Sequence, residues 1–156
     1  MATLIQGDEL RTLVLGRQVE KSSGATAAAS TALFTITGVV LVRYIVGIVT
    51  VAFDGTVTSI NLTTDPTIGS AVDICAATVV TSDVAGTIYS YVGAVPTTLL
   101  VSSGTAAPGE AYAPKPSDAF FQAGQIFHKG TAADAGTVLW RLGYVPISDG
   151  SSVVAA

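Results

Sequence analysis

The chain has 156 residues, of which 49% are hydrophobic and only 12% are charged, about half the usual charged share. Seven basic residues, scattered along the chain, face eleven acidic ones for a net charge of −4. That leaves no Lys/Arg cluster for phosphate contacts and argues against nucleic-acid binding. The one cysteine, Cys75, rules out an intrachain disulfide.

Met1 to Leu15 carries Asp8, Glu9 and Arg11 and has neither the basic n-region nor the apolar core of a signal peptide. Synthesis and function in a reducing cytoplasm is the expectation. Leu10 to Lys21 alternates in part, as an extended arm or an edge strand does. Ser22 to Ser30 (SSGATAAAS) is small-residue, low-complexity sequence of the flexible-linker type. The chain therefore divides into an arm and linker over residues 1–30 and a body over residues 31–156.

The body opens with Thr31 to Phe53, a long apolar run whose only fully charged group is Arg43. Its length matches a membrane helix, but its residues do not. Val, Ile and Thr dominate, and their branched Cβ atoms suit a pleated sheet. Phe34 and Ile36 alternate with Thr35 and Thr37. Arg43 would lie near the bilayer centre, at a cost of about 3 kcal/mol on insertion scales. No basic cluster flanks the run to set an orientation. Gly38 and Gly47 cut it into strand lengths, and Asp54-Gly55 follows as a hairpin-turn dipeptide. The run reads as a pair of buried strands in protein, not lipid.

Further strands are predicted at Thr56–Leu62, Ala71–Thr81, Thr87–Val92, Thr97–Val101, Gln125–Lys129 and Thr137–Val145, with Ser151–Ala156 a last small strand or a tail. Asp65-Pro66 with Gly69, then Ser82-Asp83 with Gly86, and Ser148–Gly150 punctuate them. Ser102–Pro116, rich in Gly, Ala and Pro, is predicted to be an irregular excursion. Val138, Trp140, Leu142 and Tyr144 share one face of their strand. No segment has a helical pattern. Seven to nine short strands with turns between them predict an all-β fold, a jelly-roll-like β-sandwich with an extended N-terminal arm.

Catalytic chemistry finds little support. His128 is the only histidine, and a triad or metal site needs partners. Cys75 lies in an apolar run (VDICAATVV) with nothing to lower its pKa, so it reads as a buried, inert thiol. Asp54, Asp65, Asp73, Asp83, Asp118, Asp134 and Asp149 sit mostly beside Gly, Pro or Ser, where aspartate caps turns. Loops could bring some of them together around Ca²⁺, although no D-x-D-x-D spacing occurs. No phosphate-binding glycine motif is present. The chain reads as a non-enzyme without a cofactor. Tyr89 and Tyr91, at i and i+2, either pack in the sheet or face a partner. With Phe120 and Phe121 they are also the rings available for sugar stacking.

The strand-and-turn residues resemble a known group. Leu33-Phe34-Thr35-Ile36-Thr37-Gly38 leads into Val39–Thr50, followed by Asp65-Pro66-Thr67 and Ala71-Val72-Asp73-Ile74. Gln125-Ile126, Gly136-Thr137-Val138-Leu139-Trp140, Tyr144-Val145-Pro146 and the tail Asp149–Ala156 complete the match. Over residues 31 to 156 the sequence resembles the jelly-roll decoration, or cement, proteins of tailed-bacteriophage capsids. The resemblance implies a β-sandwich bound outside a capsid shell as a dimer or trimer. The partner would be the major capsid protein, and the protein would be made in the host cytoplasm and located on the virion surface, without nucleic acid or membrane contact. The expected partner interface comprises Leu4, Ile5, Leu13, Val14 and Leu15 of the arm with Tyr89 and Tyr91 of the body. The alternative expectation is a carbohydrate-binding β-sandwich; a β-sandwich glycan hydrolase has the least support.

Overall fold

The computed structural model describes residues 16–56, 58–91, 99–102 and 118–156. These form twelve strands: β1 (Arg17–Thr26), β2 (Ser30–Thr37), β3 (Val40–Val51), β4 (Ser59–Pro66), β5 (Val72–Asp73), β6 (Thr78–Val79), β7 (Ile88–Ser90), β8 (Leu100–Ser102), β9 (Ala119–Phe121), β10 (Gly124–Gly130), β11 (Asp134–Pro146) and β12 (Ser152–Ala155). Sheet one has the order β1-β11-β3-β7-β8, with β9 also on β3. Sheet two has the order β12-β2-β10-β4-β5, with β6 also on β4. Every pairing is antiparallel. The predicted all-β sandwich is the observed fold. The chain crosses between the sheets from β1 through to β4, again from β6 to β7, and from β9 through to β12, so that 1-11-3-7 faces 2-10-4-5, which is jelly-roll order.

Alternation explains the layers. Val138, Trp140, Leu142 and Tyr144 of β11 are all buried, as are Val40, Val42, Ile45 and Val49 of β3. From sheet two, Phe34, Ile36, Ile60, Leu62 and Ile126 meet them. Inward parity on β3 changes between Val42 and Ile45. Tyr144 pairs with Val42 and Gly143 with Tyr44, so Arg43 is the extra residue of a bulge, which lets both halves of the strand face the core.

Three local expectations are corrected. First, the supposed linker Ser22–Ser30 is largely strand. β1 runs through Thr26, and β2 begins at Ser30. Small residues serve a bulged edge here: between Ser22 and Ala25 the register shifts, Gly24 takes φ +65°, and the Ser23 hydroxyl accepts the Val138 N–H at 3.0 Å. Second, Leu33–Thr37 and Val39–Phe53 do not pair with each other. β2 and β3 lie in opposite sheets, joined through Gly38 at φ +69°. Asp54-Gly55 likewise joins two sheets and not two neighbours. Third, Gly47 does not interrupt β3. It lies opposite Trp140, and a Cβ there would stand 2.7 Å from Val138 Cγ1 and 2.9 Å from the indole. Glycine makes the space that the tryptophan fills.

Gly47→Ala is therefore expected to destabilise the fold by about 1–3 kcal/mol through overpacking. Gly55→Ala, where nothing lies within 4 Å, should change stability by less than about 0.5 kcal/mol. Urea unfolding of the two variants checks the pair; equal effects would contradict this account of Gly47.

Candidate interaction surface

The residues with the richest chemistry lie inside. His128 on β10 is fully buried and faces Trp140 across the sandwich, with ring centroids 6.0 Å apart. The Trp140 Nε1–H donates to His128 Nδ1 at 3.3 Å. The Thr26 hydroxyl donates to the Gly136 carbonyl at 3.0 Å, so its oxygen accepts from His128 Nε2–H at 3.4 Å. Indole only donates and a hydroxyl has one hydrogen, and the chain of donors thereby defines a neutral imidazole with its proton on Nε2. Burial pushes the histidine pKa down to about 4. Both ring nitrogens are engaged by Trp140 and Thr26, not by the cysteine. The Cys75 thiol accepts the Leu62 N–H at 3.2 Å, and burial, reinforced by Asp73, pushes it up to about 11. That environment holds the thiol protonated and unreactive.

Of the seven residues of the expected interface, only Tyr89 and Tyr91 are among the described residues. Leu4, Ile5, Leu13, Val14 and Leu15 lie outside the described residues. Tyr89 and Tyr91 are 0% and 6% exposed, so both are core side chains and not partner contacts. They share a face, as foreseen, but it is the inner one. Tyr89 stacks obliquely near Trp140 with centroids 6.4 Å apart, and its hydroxyl donates to Asp83 Oδ2 at 2.7 Å. Burial and the adjacent carboxylate raise the Tyr89 pKa; burial raises that of Tyr91 and of Asp83. Phe121 is also buried. Of the four rings available for sugar stacking, Phe120 alone reaches the surface.

Phe120 is 72% exposed. On β9 it pairs with Leu41 of β3, which pairs with Val145 of β11. Directly opposed residues share a face. The neighbours Val40, Val42, Phe121 and Tyr144 all point into the core, so Phe120, Leu41 and Val145 form an apolar row on the outside of sheet one. Exposed Ile147 follows just beyond β11. A second group of exposed apolar side chains, Ile68, Val72 and Val79, lies along the β5/β6 side of sheet two. Only alternation signalled the row in the sequence: Phe120 and Phe121 are adjacent on a strand, so one of them must face outward.

Polar side chains on the outside of sheet one pair with one another across strands. Tyr44 lies over Gly143 and donates its hydroxyl to Gln18 at 2.9 Å. Glu20 and Arg141 form an exposed ion pair at 3.2 Å, a class of contact that contributes little. Among the described residues no group of three or more His, Cys, Asp or Glu is gathered as a metal site, and no helix is long and apolar enough to cross a membrane. Comparison with protein-family models, with curated proteins and with solved structures found no match.

The histidine yields a pH prediction. The unfolded chain takes up this proton near pH 6.5, whereas the fold resists it until about pH 4. Stability from this group is complete above pH 6.5 and is lost as pH falls towards 4, by about 3 kcal/mol in all. Asp83, with its raised pKa, acts in the opposite direction on acidification. The difference between wild type and His128→Leu, by urea unfolding from pH 7 to 4, isolates the histidine; parallel curves would refute the assignment.

Proposed function

We propose that this chain is a structural protein that binds the outside of an assembled protein shell, as a decoration or cement protein of a tailed-bacteriophage capsid. The observation that carries the reading is the outward apolar row of Phe120, Leu41 and Val145 on a jelly-roll sheet. A large ring held in water costs free energy that a partner surface recovers. Burying Phe120 alone would contribute about 2 kcal/mol. The sparse charge of the chain means that little desolvation of ions opposes such contact. The resemblance of residues 31–156 to decoration proteins supports the same reading.

The mechanism is linkage. A protein that binds the assembled shell and not its separate subunits shifts assembly toward the shell by mass action. Weak contacts repeated by symmetry add through avidity. The partner is the major capsid protein, contacted between neighbouring capsomers. Self-association as a dimer or trimer belongs to the same proposal, with Ile68, Val72 and Val79 among the exposed apolar side chains available for contacts between copies. The location is the virion surface after synthesis in the host cytoplasm. The carbohydrate-binding alternative retains Phe120 as its one exposed ring of the four considered.

The full-length protein should co-sediment with assembled shells of the major capsid protein from the same source, and not with unassembled subunits. Phe120→Asp should weaken that binding at least about tenfold while leaving the melting temperature unchanged. Absence of co-sedimentation, or unaltered binding by Phe120→Asp, would remove the proposal, and glycan-array binding lost in the same variant would replace it with the carbohydrate reading.

A further inference from the structure

One end of the sandwich gathers aspartates from three connections. Asp54 follows β3, Asp83 precedes β7 and Asp134 opens β11. Main-chain bonds tie two of these connections: the Phe53 N–H donates to the Asp83 carbonyl at 2.9 Å and the Ser82 N–H to the Asp54 carbonyl at 3.0 Å. The Asp83 carboxylate is committed to Tyr89. The other two carboxyls face each other. Asp134 Oδ1 accepts the Gly136 N–H at 2.7 Å and the Asp54 N–H at 3.3 Å, which brings the Asp54 and Asp134 carboxyls close enough to interact.

The second oxygen of Asp134 is the unexplained atom. Asp134 is only 6% exposed, and its Oδ2 is buried without a hydrogen-bond partner. A buried carboxylate oxygen without a partner is costly, and a second carboxylate beside it adds like-charge repulsion. Two carboxylates in contact are stable when a positive charge lies between them. Oxygen donors from loops, with a solvent-facing side at exposed Asp54, suit a hard cation whose shell of about six to eight oxygens includes water. From this geometry we propose that Asp54 and Asp134 hold a calcium ion, completed by main-chain oxygens and water. The ion would join the β3–β4 connection to the β10–β11 connection. Both are crossovers between the sheets, so it would clamp this end of the sandwich. The inference is independent of shell binding.

The probe is calcium itself, applied to the full-length protein after chelation. Affinity in the range of about 10⁻⁴–10⁻³ M, as in weak exposed calcium sites, would raise the melting temperature by about 4 °C at 10 mM calcium chloride. Magnesium should give less than half that shift, because it dehydrates reluctantly and demands stricter geometry. Asp54→Asn, an exposed substitution that keeps an oxygen for the Thr56 N–H, should fold normally and lose the calcium response. Titration calorimetry should show one site in wild type and none in the variant. No calcium response in wild type, or an equal one in Asp54→Asn, overturns the proposal. A wild type indifferent to calcium, together with an Asp54→Asn variant more stable than it at pH 7, would show that a shared proton occupies the place assigned to the ion.

Discussion

The strut from Trp140 through His128 to Thr26 organises this molecule. A jelly roll stacks two sheets whose facing side chains are almost wholly apolar, and apolar contact alone is non-directional. The indole N–H, the imidazole and the threonine hydroxyl supply direction. They link β11 to β10 across the gap and end on the Gly136 carbonyl. Each member donates to the next, so a single tautomer satisfies the whole chain. Gly47 belongs to the same arrangement, because the indole reaches this position only over a residue without a side chain. The lone histidine is thus spoken for by structure, which is why its chemistry does not extend to the surface.

Much of this architecture was legible in the sequence, and the parts that were not share a cause. Val138, Trp140, Leu142 and Tyr144 revealed the inner face of β11 because period two is a local property. The β-branched composition of Thr31–Phe53 separated strand from helix for the same reason. What sequence reading missed was nonlocal. Nothing within SSGAT announces that its partner is β11, more than a hundred residues away, so a bulged edge strand read as a linker. Gly47 read as a breaker because the ring that fills its space lies on another strand. Asp54-Gly55 read as a hairpin because turn chemistry reports a reversal and not which sheet receives the chain.

The interaction surface was legible only in part. Tyr89 and Tyr91 advertised a common face, but periodicity cannot say whether that face is inner or outer. In the structure the answer follows from Asp83, which receives the Tyr89 hydroxyl at the sandwich end and lets the ring stay buried with its polar group satisfied. Phe120 and Phe121 are neighbours in the sequence, whereas the strand places them on opposite sides. The outward ring lies in a row with Leu41 and Val145, residues drawn from three separate stretches of sequence. A row of that kind exists only once the sheet exists.

The order of the strands also bears on how the chain is made. β10 and β11 each lie between two strands of their sheet, yet both come later in the sequence than the strands they join. β1 and β3 must wait for β11, and β2 and β4 must wait for β10, before their edges are filled. A nascent chain emerging at about 5–20 residues per second therefore holds its greasiest segment, Thr31 to Phe53, without its longest ladders until β10 and β11 have emerged. Closing loops of such length slows folding and leaves unfinished edges open to aggregation. Few charges are present to keep such intermediates apart.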